Sequence, residues 1–558
     1  MRLNLLAGLG LVLVLSGSSS SASASENDLI GAIKQGGSAR VRTLLQQHAD
    51  VNAKDPDGTT ALHWAVQRDD VQVVGLLITG GANVKAANRY GMSPLLAACE
   101  IGNLEVIDKL LRAGADANSA SPSGETALMI AVRTGKVPAV KRLMAAGADI
   151  TAKETARGQT ALMWAAAENN LDAASALLEA GADVHARTPA GFTALHFAVR
   201  AGNTPVVNAL VQHGARVNDP IQPTSAVRPG APGMRTSGAP QGPAGAAIPG
   251  AARVGTGVAP ATPSEAATNN GVAQLVQVFN TGSRGSRGGV SGTSPLVLAI
   301  TNGHFELASV MLDAGADPNA DGQGWTPLHQ LAWTRRPPIQ HGLPAAVATG
   351  NVTSLELAEK LLQYGADPDI RMTKEPSDGA RNILNRIGST PFLQAAKLAD
   401  IPYMKLLLDY GADPSITTTE GATPMMAAAG VGIWQVGENP GTNEEAFQAV
   451  KICAENGRNK VDAVDANGDT ALHGAAHRGA NDIVAFLAER GAKLDAVNAI
   501  GWTPLIIAHG VLYPNTYNRR PDTEALLVKL GANPKAGSPR PEDLTPEDKS
   551  SLGSTLPR

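Results

Sequence analysis

The chain of 558 residues has few of the side chains from which large cores and catalytic centres are built. Aromatic residues account for 3% of it, and the formal net charge is only -4. A charge so small for this length attracts neither nucleic acid nor anionic lipid strongly. We therefore expect no nucleic-acid partner.

Cysteine and the common site motifs are also scarce. The two cysteines are Cys99 and Cys453, and neither Cys-x-x-Cys nor the phosphate loop Gly-x-x-x-x-Gly-Lys occurs. Both cysteines lie in apolar helical stretches far apart in the sequence, which predicts two small buried side chains and no disulfide. We expect the fold to need no metal and no cofactor.

The amino terminus is a separate segment. Arg2 precedes an apolar run from Leu5 to Leu15, and small residues continue to Ala24. This order is typical of a secretory signal peptide. The run is shorter than the roughly 20 apolar residues that a membrane-spanning helix needs. We predict that residues 1–24 are removed, that the protein is exported to the periplasm or secreted, and that no stable membrane insertion remains after processing.

The rest of the chain is built from one short pattern, clearest from Asp465 to Asp495. Its first residues, up to Gly468, have turn chemistry, Thr470 can cap a helix, and a second apolar stripe ends at Gly491. Each of the two short helices has one apolar face that it cannot bury alone. The pattern therefore requires neighbours of the same kind.

Those neighbours recur at a spacing of 33 or 34 residues where the pattern is tightest. In most repeats a Gly-Ala pair follows the opening after 21 residues. A fixed period of this length indicates stacked units rather than separate globular domains. The openings are Thr60, Ser93, Thr126, Thr160, Thr193, Ser294, Thr326, Thr390, Thr423, Thr470 and Thr503.

This pattern resembles the ankyrin-repeat family, whose repeat of about 33 residues has a turn, Thr-Pro-Leu-His, two antiparallel helices and Gly-Ala-Asp. The resemblance covers nearly the whole chain after the leader. It implies an all-α solenoid that binds proteins, in which each histidine of the motif braces the neighbouring turn instead of binding metal. The motif is plainest at Thr60-Ala-Leu-His63, Thr193-Ala-Leu-His196, Thr326-Pro-Leu-His329 and Thr470-Ala-Leu-His473.

We expect two arrays of repeats. The first spans residues 25–218 and opens with a more polar capping repeat at 27–52, and the second spans 261–535. Between them, residues 219–260 are rich in Pro, Gly and Ala, a composition that buries too little apolar surface to fold and predicts disorder. Trp64, Trp164 and Phe197 occupy matching positions, where we expect core side chains.

The start and the end of the second array are less regular. Residues 262–282 resemble a degenerate repeat, with a plain linker as the alternative interpretation. Residues 536–558 are Pro-rich and charged, which predicts a mobile tail.

Four insertions distinguish the second array from the first. Three lengthen the connection between paired helices, after Thr326, Thr423 and Thr503, and one lengthens the turn between Gly365 and Thr390. Insertions at matching corners of stacked repeats form one surface, so this corner is a candidate binding surface. The inner groove of the solenoid is the other.

The positions that the family commonly uses for binding lie beside each turn glycine and just after the first helix. Aromatic and arginine side chains dominate binding hot spots, so Trp325 and Trp333 are the predicted anchor, with Arg335 and Trp434 near them in the insertions. Packing beneath the insertions is the alternative for this pair. Carried over to this chain, the family positions are Arg89, Tyr90, Met92, Glu100, Arg133, Arg200, Trp325, Trp333, His477, Arg478 and Trp502.

We predict a monomeric, non-catalytic scaffold that binds a protein partner after export. Two alternatives stand beside it: an enzymatic site for envelope polymers built by the insertions, and an effector delivered to another cell. Carboxylates converging from several insertions would favour the enzyme. The acidic residues of the closing motif are expected to form turns instead, at Asp50, Asp116, Asp149, Asp183, Asp317, Asp367 and Asp413.

The leader predicts cleavage near Ala24 in the producing cell. Amino-terminal sequencing of the protein from the exported fraction should give a start at or near Ser25, because the small residues before it suit the processing enzyme. Recovery of intact Met1 from the cytoplasm would contradict the prediction.

Overall fold

The computed structural model describes residues 29–223, 291–337, 347–376, 384–433, 441–456, 460–513 and 516–538. In these ranges the chain forms helices in consecutive pairs, with one short antiparallel hairpin near the carboxyl end. We call the first helix of each pair inner and the second outer. None of these helices is both long and apolar enough to span a bilayer.

The pairs are α1 (residues 29–35) and α2 (Ser38–Gln46), α3 (Ala61–Gln67) and α4 (Val71–Thr79), α5 (Pro94–Ile101) and α6 (Leu104–Arg112), α7 (Ala127–Arg133) and α8 (Val137–Ala145), α9 (Ala161–Ala167) and α10 (Leu171–Glu179), α11 (Ala194–Arg200) and α12 (Thr204–Gln212), α13 (Pro295–Thr301) and α14 (Phe305–Asp313), α15 (Pro327–Arg335) and α16 (Ser354–Gln363), α17 (Pro391–Lys397) and α18 (Ile401–Asp409), α19 (Pro424–Ala429) and α20 (Asn443–Glu455), α21 (Ala471–Arg478) and α22 (Asn481–Glu489), and α23 (Pro504–Gly510) and α24 (Pro521–Leu530). The hairpin strands are β1 (Leu512–Tyr513) and β2 (Thr516–Tyr517).

The short helices begin and end where the sequence supplies caps. The Oγ of Ser93 accepts a hydrogen bond from the N–H of Leu96 at 3.3 Å, which satisfies one of the unpaired donors at the start of α5. Pro94 follows with its φ already suited to a helix. The helix ends at Gly102, whose φ of 81° lies in the left-handed region.

The chain divides into two compact units, Met1–Ala186 and Arg187–Arg558. In the first, the inner helices α3, α5, α7 and α9 pack in order, and so do the outer helices α2 to α10. Its core is a row of equivalent residues: Leu62, Leu95, Leu128 and Leu162 hold the same position in successive repeats, and each is at most 1% exposed. Each helix is thus buried mainly by its neighbours, as the pattern predicts.

The second unit contains α11 to α24, and its inner helices from α11 to α23 also pack in order. The interruption of the sequence between residues 223 and 291 lies inside this unit. Across it, α13 packs directly on α11. The predicted pair of repeat stretches is therefore separated along the sequence but joined in the stack.

Backbone and side-chain bonds show how closely the two sides of the interruption fit. The Oδ1 of Asn218 accepts from the N–H of Asp317 at 2.7 Å, and its Nδ2 donates to the carbonyl of Gly315 at 2.9 Å. Asn118 makes the same pair of bonds to its own next turn, at 2.7 and 3.2 Å. The step across the interruption thus has the same bonding as an ordinary step.

The structure differs from the predicted end of the first array at residue 218. Ile221 is fully buried and exchanges backbone hydrogen bonds with Gly292 and Thr293, so residues 219–223 belong to the repeat and not to the interruption. The remainder of the predicted segment 219–260, the degenerate repeat at 262–282 and most of the tail at 536–558 lie outside the described ranges, as does the leader.

The turn-forming role predicted for the acidic residues of the closing motif is confirmed. In each case one carboxylate oxygen accepts a hydrogen bond from the N–H two residues further on, which is the bonding of an Asx turn. The residues are Asp50, Asp116, Asp149, Asp183, Asp317, Asp367 and Asp413.

Cutting the chain within residues 224–290 should leave the protein in one piece. A variant with a protease site introduced after Gln241 should, once cleaved, elute from a size-exclusion column as a single species, because the bonds of Asn218 and the burial of Ile221 join the flanking repeats. Replacing both residues with Ala removes about 3 kcal/mol or more from this interface and should promote separation. Separation of the cleaved parent protein would contradict the direct contact.

Candidate functional site

Three positions of each repeat describe its inner face, the surface formed by the inner helices and the turns. The turn position is the residue before the capping Thr or Ser, the floor position is four residues after the cap, and the helix-end position is seven after it. In the repeat of α5, capped by Ser93, they are Met92, Ala97 and Glu100. Most of the predicted binding residues fall on these positions.

The motif histidines hold this face together from beneath. The N–H of Thr470 donates to Nδ1 of His473 at 3.0 Å, so Nε2 carries the proton and donates to the carbonyl of Trp502 in the next repeat at 3.1 Å. His63 binds the carbonyl of Met92 in the same way. Burial lowers the pKa of His473 to about 4, which keeps it neutral. The bracing role that the family resemblance implies is confirmed for these histidines.

In the first unit the inner face is open. Arg89 and Tyr90 form the tip of one turn, where the guanidinium lies 5.0 Å from the ring centroid and donates to the phenol oxygen at 2.8 Å. Tyr90 is 58% exposed, the most exposed aromatic residue of the described chain. Glu100 and Arg133, at the helix ends of adjacent repeats, are exposed and 3.5 Å apart. Met92, at the turn position of the same repeat as Glu100, is half-buried.

The floor of this open face carries large side chains that are only partly covered. Trp64 and Trp164 are half-buried, so the prediction that they are core residues holds for only part of each ring. The Nε1 of Trp64 donates to Asp55 at 2.8 Å, and the ammonium of Lys34 lies 4.1 Å from its ring centroid. The face therefore combines exposed aromatic surface with charge of both signs.

The second unit also begins with an open inner face. Phe192 and Phe197, at the turn and floor positions of the α11 repeat, are half-buried with ring centroids 5.8 Å apart. Arg200, at the helix end, is half-buried, and its carbonyl accepts from Nε2 of His304 at 3.0 Å. Phe197 is thus exposed in part, as Trp64 is.

The predicted anchor lies two repeats further on. Trp325 and Trp333 are both half-buried and meet edge to face with centroids 5.7 Å apart. The Nε1 of Trp325 donates to Gln330 at 3.0 Å, and that of Trp333 to Gln394 at 3.1 Å. The guanidinium of Arg386, from the insertion before α17, lies 5.6 Å from the Trp333 ring. The pair therefore packs partly beneath an insertion and keeps part of its surface outside.

Beyond this point the inner face is closed. Every residue of α17, α19 and α21 is buried, including the helix-end Lys397 and His477. In α3, α5 and α9, by contrast, floor or helix-end positions are accessible. The difference coincides with the insertions, which occur only in the second unit.

Two described insertion segments lie over these helices. A Cβ added to Gly474, at the floor position of α21, would be 2.5 Å from the backbone nitrogen of Val431, so the segment after α19 crosses directly over this helix. A Cβ atom added to Gly432 would lie 2.5 Å from the Cβ atom of Leu384. The segment that contains Leu384 therefore covers the segment that contains Val431. These two described segments of the insertions line the inner face, which is the other of the two surfaces named above as candidates for binding.

Four predicted binding residues are mostly covered within the chain, which leaves little of their side-chain surface for a partner. Arg335 donates to both carboxylate oxygens of Asp400 at 2.7 and 3.0 Å, with 13% of its side chain exposed. Arg478, at 7%, donates to Asn443 and to two backbone carbonyls, and burial lowers its pKa. His477 is 7% exposed and Trp502 is 3%.

One predicted residue and part of the insertions are not described. Trp434 lies outside the described ranges. The sequence analysis did not predict the segments that cover these helices. A glycine at the floor position of α21 could have indicated one of them. Gly474 stands where Trp64 and Phe197 stand in other repeats, and a missing side chain there indicates that another chain segment passes close by.

Three carboxylates in and beside the insertions are each bound to an arginine. Asp400 pairs with Arg335, Glu445 with Arg336, and Glu375 with Arg386. Within the described ranges no group of three or more His, Cys, Asp or Glu side chains could hold a metal ion.

His473 and His477 are four residues apart on α21, a spacing that occurs in zinc sites, but the bond of His473 to the next repeat occupies its Nε2. Cys99 and Cys453 are fully buried, as predicted, and burial raises the pKa of Cys99 to about 12. Neither thiol is therefore suited to nucleophilic chemistry.

Comparison with known families finds ankyrin repeats over most of the sequence. The model for ankyrin repeats in three copies matches residues 29–121, 96–188, 128–221, 264–341 and 441–535, and the model for the single ankyrin repeat matches 323–373. Between 373 and 441, where neither matches, the structure places α17 to α19, which include two of the wholly buried inner helices. No curated protein matches the chain.

The ion pair between Arg335 and the buried Asp400 leads to a prediction about stability. Arg335→Ala should lower the free energy of unfolding by about 3 kcal/mol, because the carboxylate of Asp400 is left buried without its partner. Arg89→Ala, which removes an exposed arginine at a predicted binding position, should change it by less than about 0.5 kcal/mol. Chemical denaturation of both variants checks this, and equal effects would contradict the assignment.

Proposed function

The chain belongs to the ankyrin-repeat family, whose repeats indicate a protein–protein interaction scaffold, and we propose that this scaffold is non-catalytic and acts after export. The partner binds on the open part of the inner face. The observation that carries the proposal is the contrast between the accessible inner helices of the first unit and the wholly buried helices α17, α19 and α21.

The open surface of the first unit has the composition of a binding site. Tyr90 and Arg89 combine an aromatic ring and a guanidinium, the groups that most often dominate interface energies. Glu100 and Arg133 add charges of both signs at the helix ends. Exposed charges of this kind set orientation and association rate more than affinity.

A binding role also agrees with what the insertions do. Three carboxylates in and beside them, Asp400, Glu445 and Glu375, pair with arginines and so help to hold the covering segments in place. This favours a scaffold over the enzymatic alternative. The proposal of export rests on the leader at residues 1–24. The same leader is compatible with delivery to another cell.

Site-specific photo-cross-linking in the producing cell tests this proposal. A photoreactive phenylalanine analogue in place of Tyr90 should give a discrete cross-linked species of higher mass, because that side chain projects from the turn at the centre of the proposed surface. The cross-linked partner is then identified by mass spectrometry.

Tyr364 offers a matched control. It is 47% exposed but lies at the end of the outer helix α16, away from the inner face. The same analogue at position 364 should not yield that species. Equal cross-linking at both positions, or none at position 90 with the protein exported and folded, would refute the proposed surface.

A further inference from the structure

Two tryptophans hold the floor position in the first unit, and their surroundings differ. At Trp64 the Nε1 donates to a carboxylate oxygen of Asp55 at 2.8 Å, and the ammonium of Lys34 lies 4.1 Å from the ring centroid. The same carboxylate oxygen is 2.9 Å from that ammonium. An acceptor at the indole N–H and a cation over the ring face are the two polar partners that such a side chain attracts. Trp64 has both within its own chain.

The acceptor is missing at Trp164. Glu154 begins the turn before α9 as Asp55 begins the turn before α3, since each N–H donates to the carbonyl of the residue before the cap. The Nε1 of Trp164 is buried and, within the described ranges, has no acceptor. The reason is that both carboxylate oxygens of Glu154 accept hydrogen bonds from N–H groups of its own turn, those of Ala156, Arg157 and Gln159.

The cation is missing as well. Lys34 and Arg133 hold equivalent places in the repeat before each tryptophan, two residues before a glycine of positive φ. The guanidinium of Arg133 lies 3.5 Å from the carboxylate of Glu100, in the repeat before its own. No Lys or Arg of the described chain lies over the Trp164 ring as Lys34 lies over Trp64. Trp164 is half-buried, so part of its surface is accessible.

A carboxylate lies beside this ring. Glu168 follows Trp164 by four residues, so the two side chains are neighbours on one face of the inner helix. Glu168 is exposed, and partial desolvation raises its pKa, an effect that the Arg133 guanidinium opposes. In the repeat of α3 the same position holds Arg68. The end of α9 thus has a negative charge where the end of α3 has a positive one.

We propose that Trp164 and Glu168 bind a lysine or arginine side chain of the partner protein. The cation lies over the indole ring, as Lys34 does at Trp64, and Glu168 is its counter-ion. The inference rests on the proposed binding function and adds the charge of the group that is bound. Charge complementarity selects this occupant, because an aliphatic side chain would leave Glu168 without a counter-ion and an acidic one would be repelled by it.

The test uses random 12-residue peptides displayed on phage. Those retained bind the immobilised full-length protein and fail to bind the variant Trp164→Leu, which keeps an apolar side chain but has no aromatic face. The retained peptides should share one Lys or Arg. Exchange of that residue for Met, measured by fluorescence anisotropy with synthetic peptides, should weaken binding by about fivefold or more. Retained peptides without a common basic residue, or failure to retain any, would overturn the proposal.

Matched variants distinguish a cation site from a merely apolar one. Trp164→Phe keeps an aromatic face and should bind the retained peptides to within about threefold of the parent. Trp64→Leu makes the same change where Lys34 already covers the ring, so it should leave binding unchanged. Leucine suits the floor position, since Ile130 holds it in α7, and chemical denaturation checks that each variant is folded. Binding that Trp164→Phe does not restore, or that Trp64→Leu also removes, would overturn the proposal.

The counter-ion is tested separately. Glu168→Gln removes the charge without changing the size of the side chain, so it should weaken the retained peptides about threefold and reduce the salt dependence of binding. Glu179→Gln, at the exposed end of the outer helix α10, should have no effect. Unchanged affinity and salt dependence in Glu168→Gln would overturn the proposal. The peptide measurements need no cellular partner, so their failure is distinguishable from a failure of cross-linking through position 90.

Discussion

Every helix of this protein depends on the repeat beside it. The helices that the structure describes in full are six to thirteen residues long, too short to be stable alone in water, and each buries its apolar stripe against the equivalent helix of the next repeat. Hydrogen bonds at fixed positions keep the register: the histidine of one repeat to a carbonyl of the next, and the asparagine of one turn to the following turn. Stability is therefore a sum of nearest-neighbour terms within each unit.

That dependence explains how the chain tolerates a long interruption. The cost of closing a loop rises only with the logarithm of its length, so the repeats on either side of residues 224–290 can still find each other. Asn218 makes its usual two bonds across the gap, and Ile221 is buried as a core residue would be. Each repeat must contact a complementary repeat, but that repeat does not have to be adjacent in sequence.

The same positions serve two different purposes in different parts of the chain. The helix-end position holds Arg133 on an open surface and His477 beneath a covering segment, and the turn position holds Met92 half-buried and Trp502 almost completely buried. Tryptophan gains about 1.5–3 kcal/mol or more when its apolar surface is covered, whether a partner or an insertion covers it. A tryptophan at these positions therefore indicates surface that becomes covered. It does not indicate whether a partner or an insertion covers it.

The sequence by itself determined the repeat, its period, the caps and the turn carboxylates, because each of these depends on residues a few positions apart. It also located the four insertions and singled out Arg89, Tyr90, Glu100 and Arg133, which the structure leaves exposed. Only the tertiary structure decided that Arg478 and Trp502 are buried, that Arg335 is mostly covered, and that Ile221 meets Thr293 across the interruption. These outcomes depend on where an irregular segment lies in space, and no local periodicity encodes that, since insertion residues such as Leu384 and Val431 find their contacts tens of residues away.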